Sequence, residues 1–135
     1  MAKTDTITLT GVRARGFHGV LPEETRMGQE FSVDITAHVD LTRASRSDDL
    51  AHTINYAELA QIAYDAITGE PKQLIEALAG GIADQCMAQF PAIADIAVTV
   101  HKPAAPIPLV FDNVAVTITR RRDTTRDTAR DNVEE

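Results

Sequence analysis

The stretch EFSVDITAHVDL, residues 30–41, alternates between polar and apolar side chains over its whole length. Its apolar positions are Phe31, Val33, Ile35, Ala37, Val39 and Leu41. Successive side chains of a strand point to opposite faces of the sheet, so this pattern predicts a strand with one apolar face and one polar face. Such a strand belongs in a sheet that packs against the core on its apolar face and leaves its polar face exposed. This restricts the fold to a sheet with a packed layer on one face only.

Three further segments have the composition of strands. DTITLTGVRARG, residues 5–16, alternates up to Gly11 and then changes the parity of its apolar positions, which predicts a β-bulge at the glycine. IAVTV, residues 96–100, and VAVTIT, residues 114–119, are rich in β-branched residues. The chain is therefore predicted to contain four strands.

Two helices are predicted between the strand pairs, because apolar residues recur there at helical spacing. These residues are Tyr56, Leu59, Ala60, Ala63 and Ile67 in the first helix, and Ile75, Leu78, Ala79, Ile82, Cys86, Met87 and Phe90 in the second. The order strand, strand, helix, helix, strand, strand predicts an α+β fold, an antiparallel four-stranded sheet with two helices on one face. Its exposed edges favour association with other copies.

Length and charge restrict the function. With 135 residues and a net charge of −7, the chain is predicted to form one domain, residues 1–121, that does not bind nucleic acid. Residues 122–135 are predicted to be a disordered charged tail. No apolar run approaches the ~20 residues of a membrane span, and the N-terminus lacks the apolar core of a signal peptide. A single cysteine excludes an internal disulfide and is typical of the cytoplasm.

Several polar residues are candidates for a site. The loop GFHGVLPEETRMGQ contains His18, Glu23 and Glu24, and polar groups between strands often form sites, although carboxylates in loops are commonly just solvated. Tyr56 begins the first helix, on its apolar stripe, where core packing is the simpler interpretation. Glu76 lies in the first turn of the second helix, where the helix dipole favours a carboxylate. A carboxylate there could also accept two parallel N–H bonds from a planar ligand.

Lys102 ends an apolar run and is followed by three prolines, Pro103, Pro106 and Pro108. A lysine at a strand end is commonly a surface charge, but a rigid segment behind it is one way to hold a reactive group in position. The four histidines and Cys86 lack the spacing of a zinc site, and no glycine-rich phosphate loop is present. The sequence thus predicts no metal and no cofactor.

Four stretches in this order resemble the dihydroneopterin aldolase family: GFHGVLPEETRMGQEF, SDDLAHTINYAEL, LIEALAGGIAD and HKPAAPIPLVFDNVAV. The resemblance covers about Thr6 to Arg121. It implies the tunnelling fold, in which the sheets of several subunits join into a barrel as a homotetramer, commonly stacked as an octamer. It also implies active sites between subunits.

The resemblance assigns roles to individual residues. Lys102, Tyr56 and Glu24 match the catalytic residues, with Tyr56 contributed across the interface and with neighbouring Glu23 as an alternative to Glu24. Glu76 matches the carboxylate that binds the 2-amino and N3–H edge of a pterin. Backbone groups near four residues would complete the pocket; these are Thr53, Ile54, Leu74 and Ile75.

The implied reaction is a retro-aldol cleavage of 7,8-dihydroneopterin, with some epimerisation at C2′. A lysine base for it needs a depressed pKa. One alternative is an epimerase of the same fold that acts on dihydroneopterin triphosphate. It would need basic residues near the side-chain end of the pocket, and this negatively charged chain has few. A non-catalytic pterin-binding protein is another, and the joint presence of Glu24, Tyr56 and Lys102 argues against it. An oxygenase side activity also stays open.

Overall fold

The computed structural model describes residues 5–122, and the strands in this range form one antiparallel sheet in the order β1-β2-β3-β4. The strands are β1 (Thr6–Gly16), β2 (Gln29–Val39), β3 (Ile93–His101) and β4 (Ala115–Arg121). The helices are α1 (Pro22–Met27), α2 (Thr42–Ser47), α3 (Tyr56–Thr68) and α4 (Ile75–Gln89), and a 3₁₀ turn spans Leu50–His52. The predicted α+β architecture is confirmed.

The bulge predicted at Gly11 is present. The pairing of β1 with β2 shifts register between Leu9 and Val12, and Gly11 has a φ of 76°. The Gly11 N–H donates to Asp34 Oδ1 at 2.8 Å, so the extra residue is held by the polar face of β2. This one-residue insertion keeps the apolar side chains of both halves of β1 on the same side of the sheet.

The core lies between the apolar face of the sheet and the helices α3 and α4. The alternation of β2 is reproduced in its burial, because its five apolar residues from Phe31 to Val39 are at most 2% exposed. Helix α3 packs on β1, and α4 packs on β3 and β4. Burial raises the pKa of Cys86 to about 11, so this thiol is a core residue of α4. No helix among residues 5–122 is long and apolar enough to cross a membrane.

Three features differ from the sequence prediction. The first connecting loop contains α1, whose first residue is Pro22, and the connection after β2 contains α2 and the 3₁₀ turn. These segments are too short and too polar to produce an apolar periodicity. Tyr56 is 65% exposed rather than buried, because α3 turns its other side to the core. The buried residues of α3 are Leu59, Ile62, Ala63 and Ile67.

The described chain ends at Arg122, whose guanidinium donates to the carbonyl oxygens of Met87 and Ile93 at 2.7 and 3.0 Å. This side chain therefore ties the end of β4 to the C-terminal end of α4. The remainder of the predicted tail, residues 123–135, lies outside the described residues.

Candidate active site

A cavity of about 350 Å³ lies where α1, the N-terminal end of α4 and the segment after β3 meet. Its charged lining residues are Glu24, Glu76 and Lys102. Most of the other lining residues are apolar: Val20, Leu21, Leu74, Ile75, Ala105, Pro106, Val114 and Val116. An apolar cleft with a few convergent polar groups is typical of a site for a small molecule.

An ion pair between Lys102 and Glu24 occupies one side of this cavity. Lys102 Nζ lies 2.7 Å from Glu24 Oε2, and the two side chains are only 12% and 9% exposed. The Gln29 amide and the Leu21 N–H also donate to the carboxylate of Glu24, each at 3.2 Å. Burial acts to raise the pKa of Glu24, but the hydrogen bonds from Lys102, Leu21 and Gln29 outweigh it, so this pKa lies below its usual value. Glu24 is therefore ionised at neutral pH.

Glu24 rather than Glu23 makes this pair because of the short helix α1. The carbonyl of Leu21 accepts the Glu24 N–H at 3.0 Å, which fixes the first turn of the helix and directs Glu24 back into the cavity. Glu23 is exposed to solvent. Neither the helix nor the contribution of Gln29 was predicted from the sequence, since both depend on a local turn that carries no apolar pattern.

Lys102 directly follows β3, and its backbone is held on both sides. Its N–H donates to the Val114 carbonyl at 2.8 Å, and its carbonyl accepts the Ala105 N–H at 3.2 Å. Two further bonds, from Ile107 N–H to Ala105 O and from Leu109 N–H to Ile107 O, close tight turns around Pro106 and Pro108. Proline suits the centre of such three-residue turns because its φ is already fixed near the required value. The prolines therefore stiffen the segment that begins at Lys102.

Glu76 is the second residue of α4 and lines the same cavity. Leu74 precedes the helix and makes no side-chain hydrogen bond to its first amides. The N–H groups of Ala77 and Leu78 donate to the Leu74 carbonyl, at 3.1 and 3.3 Å. The first two amides of the helix, those of Ile75 and Glu76, have no acceptor within the helix, so they are possible donors next to an exposed carboxylate. Glu76 and the α4 start together present an acceptor pair and donors to one planar ligand.

Gly19 is required for the placement of Glu24, because a Cβ at this position would overlap the Glu24 side chain from its Cβ to its carboxylate. We expect Gly19→Ala to push Glu24 away from Lys102 and to lower turnover about tenfold, since small misplacements of a reacting group are costly. The activity of the purified variant on its substrate measures this effect. Gly81→Ala in α4 is the control, since a Cβ there meets nothing within 4 Å. Unchanged turnover in Gly19→Ala would contradict a need for Glu24 at this position.

The other predicted site residues lie elsewhere in the same chain. Thr53 and Tyr56 line a separate cavity of about 330 Å³, together with residues of α2 and the 3₁₀ turn. Ile54 is 4% exposed and belongs to the core. His18 is also buried, and it contacts the backbone of residues 67 and 72 rather than the cavity. One chain thus brings together Glu24, Leu74, Ile75, Glu76 and Lys102, but not Tyr56.

Comparisons with known proteins show which family this chain resembles in sequence and in fold. The family model for dihydroneopterin aldolase matches residues 7–119. A dihydroneopterin aldolase of Methylorubrum extorquens is 53% identical over 78% of this chain and 81% of its own length. One of Bacillus subtilis is 43% identical over 87% of this chain and 98% of its own. The crystal structure of the E. coli dihydroneopterin aldolase in complex with neopterin superimposes with a TM-score of 0.79 at 26% identity, covering 87% of this chain and 99% of that one.

Proposed function

The chain belongs to the dihydroneopterin aldolase family, and from this premise we propose that it cleaves 7,8-dihydroneopterin into 6-hydroxymethyl-7,8-dihydropterin and glycolaldehyde. This retro-aldol reaction is a step of tetrahydrofolate biosynthesis, and it makes the protein a carbon–carbon lyase. A related structure that holds neopterin supports a pterin as the ligand of the cavity.

The observation that carries the proposal is the presence of two different polar functions in the lining of one cavity. The carboxylate of Glu76 can accept the two parallel N–H groups that a pterin presents at its 2-amino and N3 positions. The Lys102–Glu24 pair lines the same cavity and is suited to proton transfer at the side chain of the ligand. The cavity thus provides a binding group for the ring and an acid–base pair for the side chain.

The reaction begins with removal of the proton from the 2′-hydroxyl. The C2′ oxygen then becomes the aldehyde oxygen as the C1′–C2′ bond breaks. The electrons of that bond form a C1′=C6 double bond, and the C6=N5 electrons move to N5, which takes up a proton. Protonation of C1′, with loss of the proton from N5, restores the C6=N5 imine and gives the hydroxymethyl product. The imine of the substrate is the electron sink, so the lysine does not need to form a Schiff base.

In this scheme Lys102 and Glu24 handle the proton of the 2′-hydroxyl, through a water molecule, and Tyr56 of a neighbouring subunit delivers the proton to C1′. The 2.7 Å contact between Lys102 and Glu24 supports their action as one unit. Re-addition of glycolaldehyde to the other face of the same intermediate would produce epimerisation at C2′. This activity is therefore expected beside cleavage.

An epimerase for dihydroneopterin triphosphate would bind three phosphate groups near the lysine. Among the described residues that line the cavity, Lys102 is the one cation, and Glu24 already pairs with it. A triphosphate would need several further cationic partners. The charge of the cavity therefore favours the unphosphorylated substrate.

Product analysis tests the proposed function. Incubation with 7,8-dihydroneopterin should release glycolaldehyde and 6-hydroxymethyl-7,8-dihydropterin in equal amounts, measured by chromatography of the pterins and derivatisation of the aldehyde. Formation of the C2′ epimer without glycolaldehyde would identify an epimerase. Binding of dihydroneopterin without any conversion would identify a pterin-binding protein and would contradict the proposal.

The active site is proposed to form between two subunits, because Tyr56 and Lys102 line different cavities of the same chain. Ile67, near the C-terminal end of α3, contacts His18 beside the Glu24 loop. Tyr56 begins the same helix, about 16–17 Å away along its axis at 1.5 Å per residue. The exposed side chains of Val20 and Leu74, 62% and 51% accessible at the cavity, also leave apolar surface for a second subunit to cover.

The edges of the sheet support a ring. Among the described strands, β1 and β4 are the edge strands, each with one unpaired side. Pairing β1 of one copy with β4 of the next is a head-to-tail contact, which closes into a ring when the rotation fits. We propose a homotetramer of this kind or a stacked octamer, working in the cytoplasm.

Mixed rings provide a direct test of the shared site. We expect Tyr56→Phe and Lys102→Ala chains, each nearly inactive alone, to regain roughly a quarter of wild-type activity after equal mixing and subunit exchange, because random neighbours pair an intact Lys102 with an intact Tyr56 at about one site in four. Turnover and native mass spectrometry of the mixture measure activity and exchange together.

The matched control mixes Lys102→Ala with Glu24→Gln. Both residues belong to the same chain and lie 2.7 Å apart, so mixing cannot rebuild an intact pair, and no recovery is expected. Exchange into mixed rings without any recovery for the Tyr56→Phe mixture would show that the site is not shared in this way.

A further inference from the structure

The side chain of His18 is 0% exposed. Among residues 5–122, it is the one polar or charged residue that is buried. Both nitrogens of its ring are bonded to the backbone of distant residues. Nε2 lies 2.8 Å from the carbonyl oxygen of Ile67 at the end of α3, and Nδ1 lies 2.9 Å from the amide nitrogen of Lys72. The ring therefore joins the first loop of the chain to the connection between α3 and α4.

The two partners determine the tautomer of the ring. A carbonyl oxygen can only accept, so Nε2 carries the hydrogen, and the Lys72 N–H can only donate, so Nδ1 offers its lone pair. A proton on Nδ1 would oppose the Lys72 N–H and break this contact. Burial first, and then the charges of Lys72 and Lys102, lower the pKa of His18, while the carbonyls of Ile67 and Ala66 act in the opposite direction. The ring is thus neutral at pH 7.

The backbone around His18 is built for close contact. The Gly19 N–H donates to the Lys72 carbonyl at 2.9 Å, so Lys72 is bound through both its N–H and its C=O. A Cβ on Gly16 would lie 2.6 Å from the Ile67 oxygen and 2.9 Å from Cδ2 of the His18 ring. The edge of the ring packs against Phe31 at 5.2 Å between centroids. Together these contacts hold the His18 ring in a single position.

Each of the segments that His18 joins leads to residues that line the cavity. The chain that leaves Gly19 enters α1 and places Glu24, which pairs with Lys102. The chain that leaves Lys72 passes through Gln73 and Leu74 into α4 and places Glu76. The contact between Gly19 and Lys72 therefore links the segment that leads to Glu24 with the segment that leads to Glu76.

We propose that His18 is a positioning residue. Through its bond to Lys72, it fixes the distance between the Lys102–Glu24 pair and Glu76 in the pterin site. The proposal rests on the proposed function for the identity of the ligand. His18 touches neither substrate nor the reacting groups in this scheme, and it acts by holding the loop before α4. Its loss is expected to weaken pterin binding, and through that turnover, more than it alters the Lys102–Glu24 pair.

Two substitutions of His18 test its two hydrogen bonds one at a time, because each substitution keeps one bond and removes the other. Asparagine can place its oxygen where Nδ1 lies, which keeps the acceptor for Lys72, and glutamine can place its NH₂ group where Nε2 lies, which keeps the donor for Ile67. We expect His18→Gln to raise the Kd of the product pterin about tenfold and His18→Asn to raise it no more than about threefold, because only the first leaves the Lys72 N–H unpaired. Calorimetry measures the two constants.

Hydrogen exchange provides a readout that does not depend on activity. Exchange at the Lys72 amide should be faster in His18→Gln than in His18→Asn, whose acceptor remains. His38→Gln is the control, because His38 lies on the polar face of β2 and pairs with Asp95. It should change neither Kd nor exchange at Lys72.

Equal losses of affinity in both variants, or wild-type affinity in both, would overturn the positioning role. A wild-type protein that binds no pterin would instead contradict the proposed function, and exchange at Lys72 would still test the contact. If neither variant folds, NMR of the His18 ring in the wild-type protein replaces them. Pterin affinity should then fall when the pH is low enough to protonate His18, whose pKa burial holds below its usual value. Protonation of His18 without loss of affinity would overturn the proposal.

Discussion

Replacing Lys102 by alanine is expected to lower cleavage of dihydroneopterin by at least about 10²-fold, the range typical for a positioned acid–base group. Binding of the product pterin should change little, because the proposed contact to the pterin ring is made by Glu76, which the substitution leaves in place. Lys102→Gln is the companion variant, since its amide can still donate to Glu24. This variant limits the destabilisation that follows when a nearly buried carboxylate is left unpaired. Single-turnover cleavage and product calorimetry measure the two effects.

The same experiment separates this mechanism from covalent catalysis. Because the dihydropterin imine accepts the electrons, borohydride treatment of the wild-type protein with substrate should leave no substrate-derived adduct on Lys102. Mass spectrometry of the digested protein checks this, and exhaustive chelation should leave cleavage intact. An adduct that forms at the rate of turnover would contradict the noncovalent role, as would near-normal cleavage in folded Lys102→Gln and Lys102→Ala.

Much of the fold followed from the sequence because its determinants are local. The alternation of β2 and the parity change at Gly11 depend on neighbouring residues in one strand, and both appear in the sheet as predicted. The short helices α1 and α2 were missed because each has six residues and no buried face. The helical spacing of its apolar residues predicts Tyr56 in the core, but this spacing does not indicate how far the apolar stripe extends around a helix, and Tyr56 is exposed.

The candidate site was less accessible to sequence reasoning. Glu24 and Lys102 lie 78 positions apart in the sequence, and only a family resemblance related them before the structure gave their 2.7 Å contact. The bonds of His18 reach 49 and 54 positions along the chain, so neither spacing nor composition indicates them. The partners of Tyr56 would lie in another subunit, where the pattern of one chain provides no information.

The proposed carboxylate of the pterin site gives the second large effect. We expect Glu76→Gln to weaken binding of the product pterin by roughly 2–4 kcal/mol, which is about 30- to 1,000-fold in Kd. Glutamine keeps the shape of glutamate but has one acceptor and one donor, so its NH₂ group would confront an N–H of the pterin. The loss of charge also removes the stronger, charge-assisted part of the interaction.

Calorimetry with the product pterin measures this effect, and Glu23→Gln is the matched control. It removes the same charge from an exposed residue of α1 that does not line the cavity, so its Kd should stay close to that of the wild type. A similar loss in both variants would indicate a long-range charge effect, which falls as salt is raised, whereas loss of a direct bidentate contact persists. Equal affinity of Glu76→Gln and wild type would remove Glu76 from the site.

Glu76 is held by the start of α4, and Lys102 is held by the end of β3. A selective loss of binding in Glu76→Gln, together with a selective loss of cleavage in Lys102→Gln, would therefore assign recognition and chemistry to separate elements of the fold.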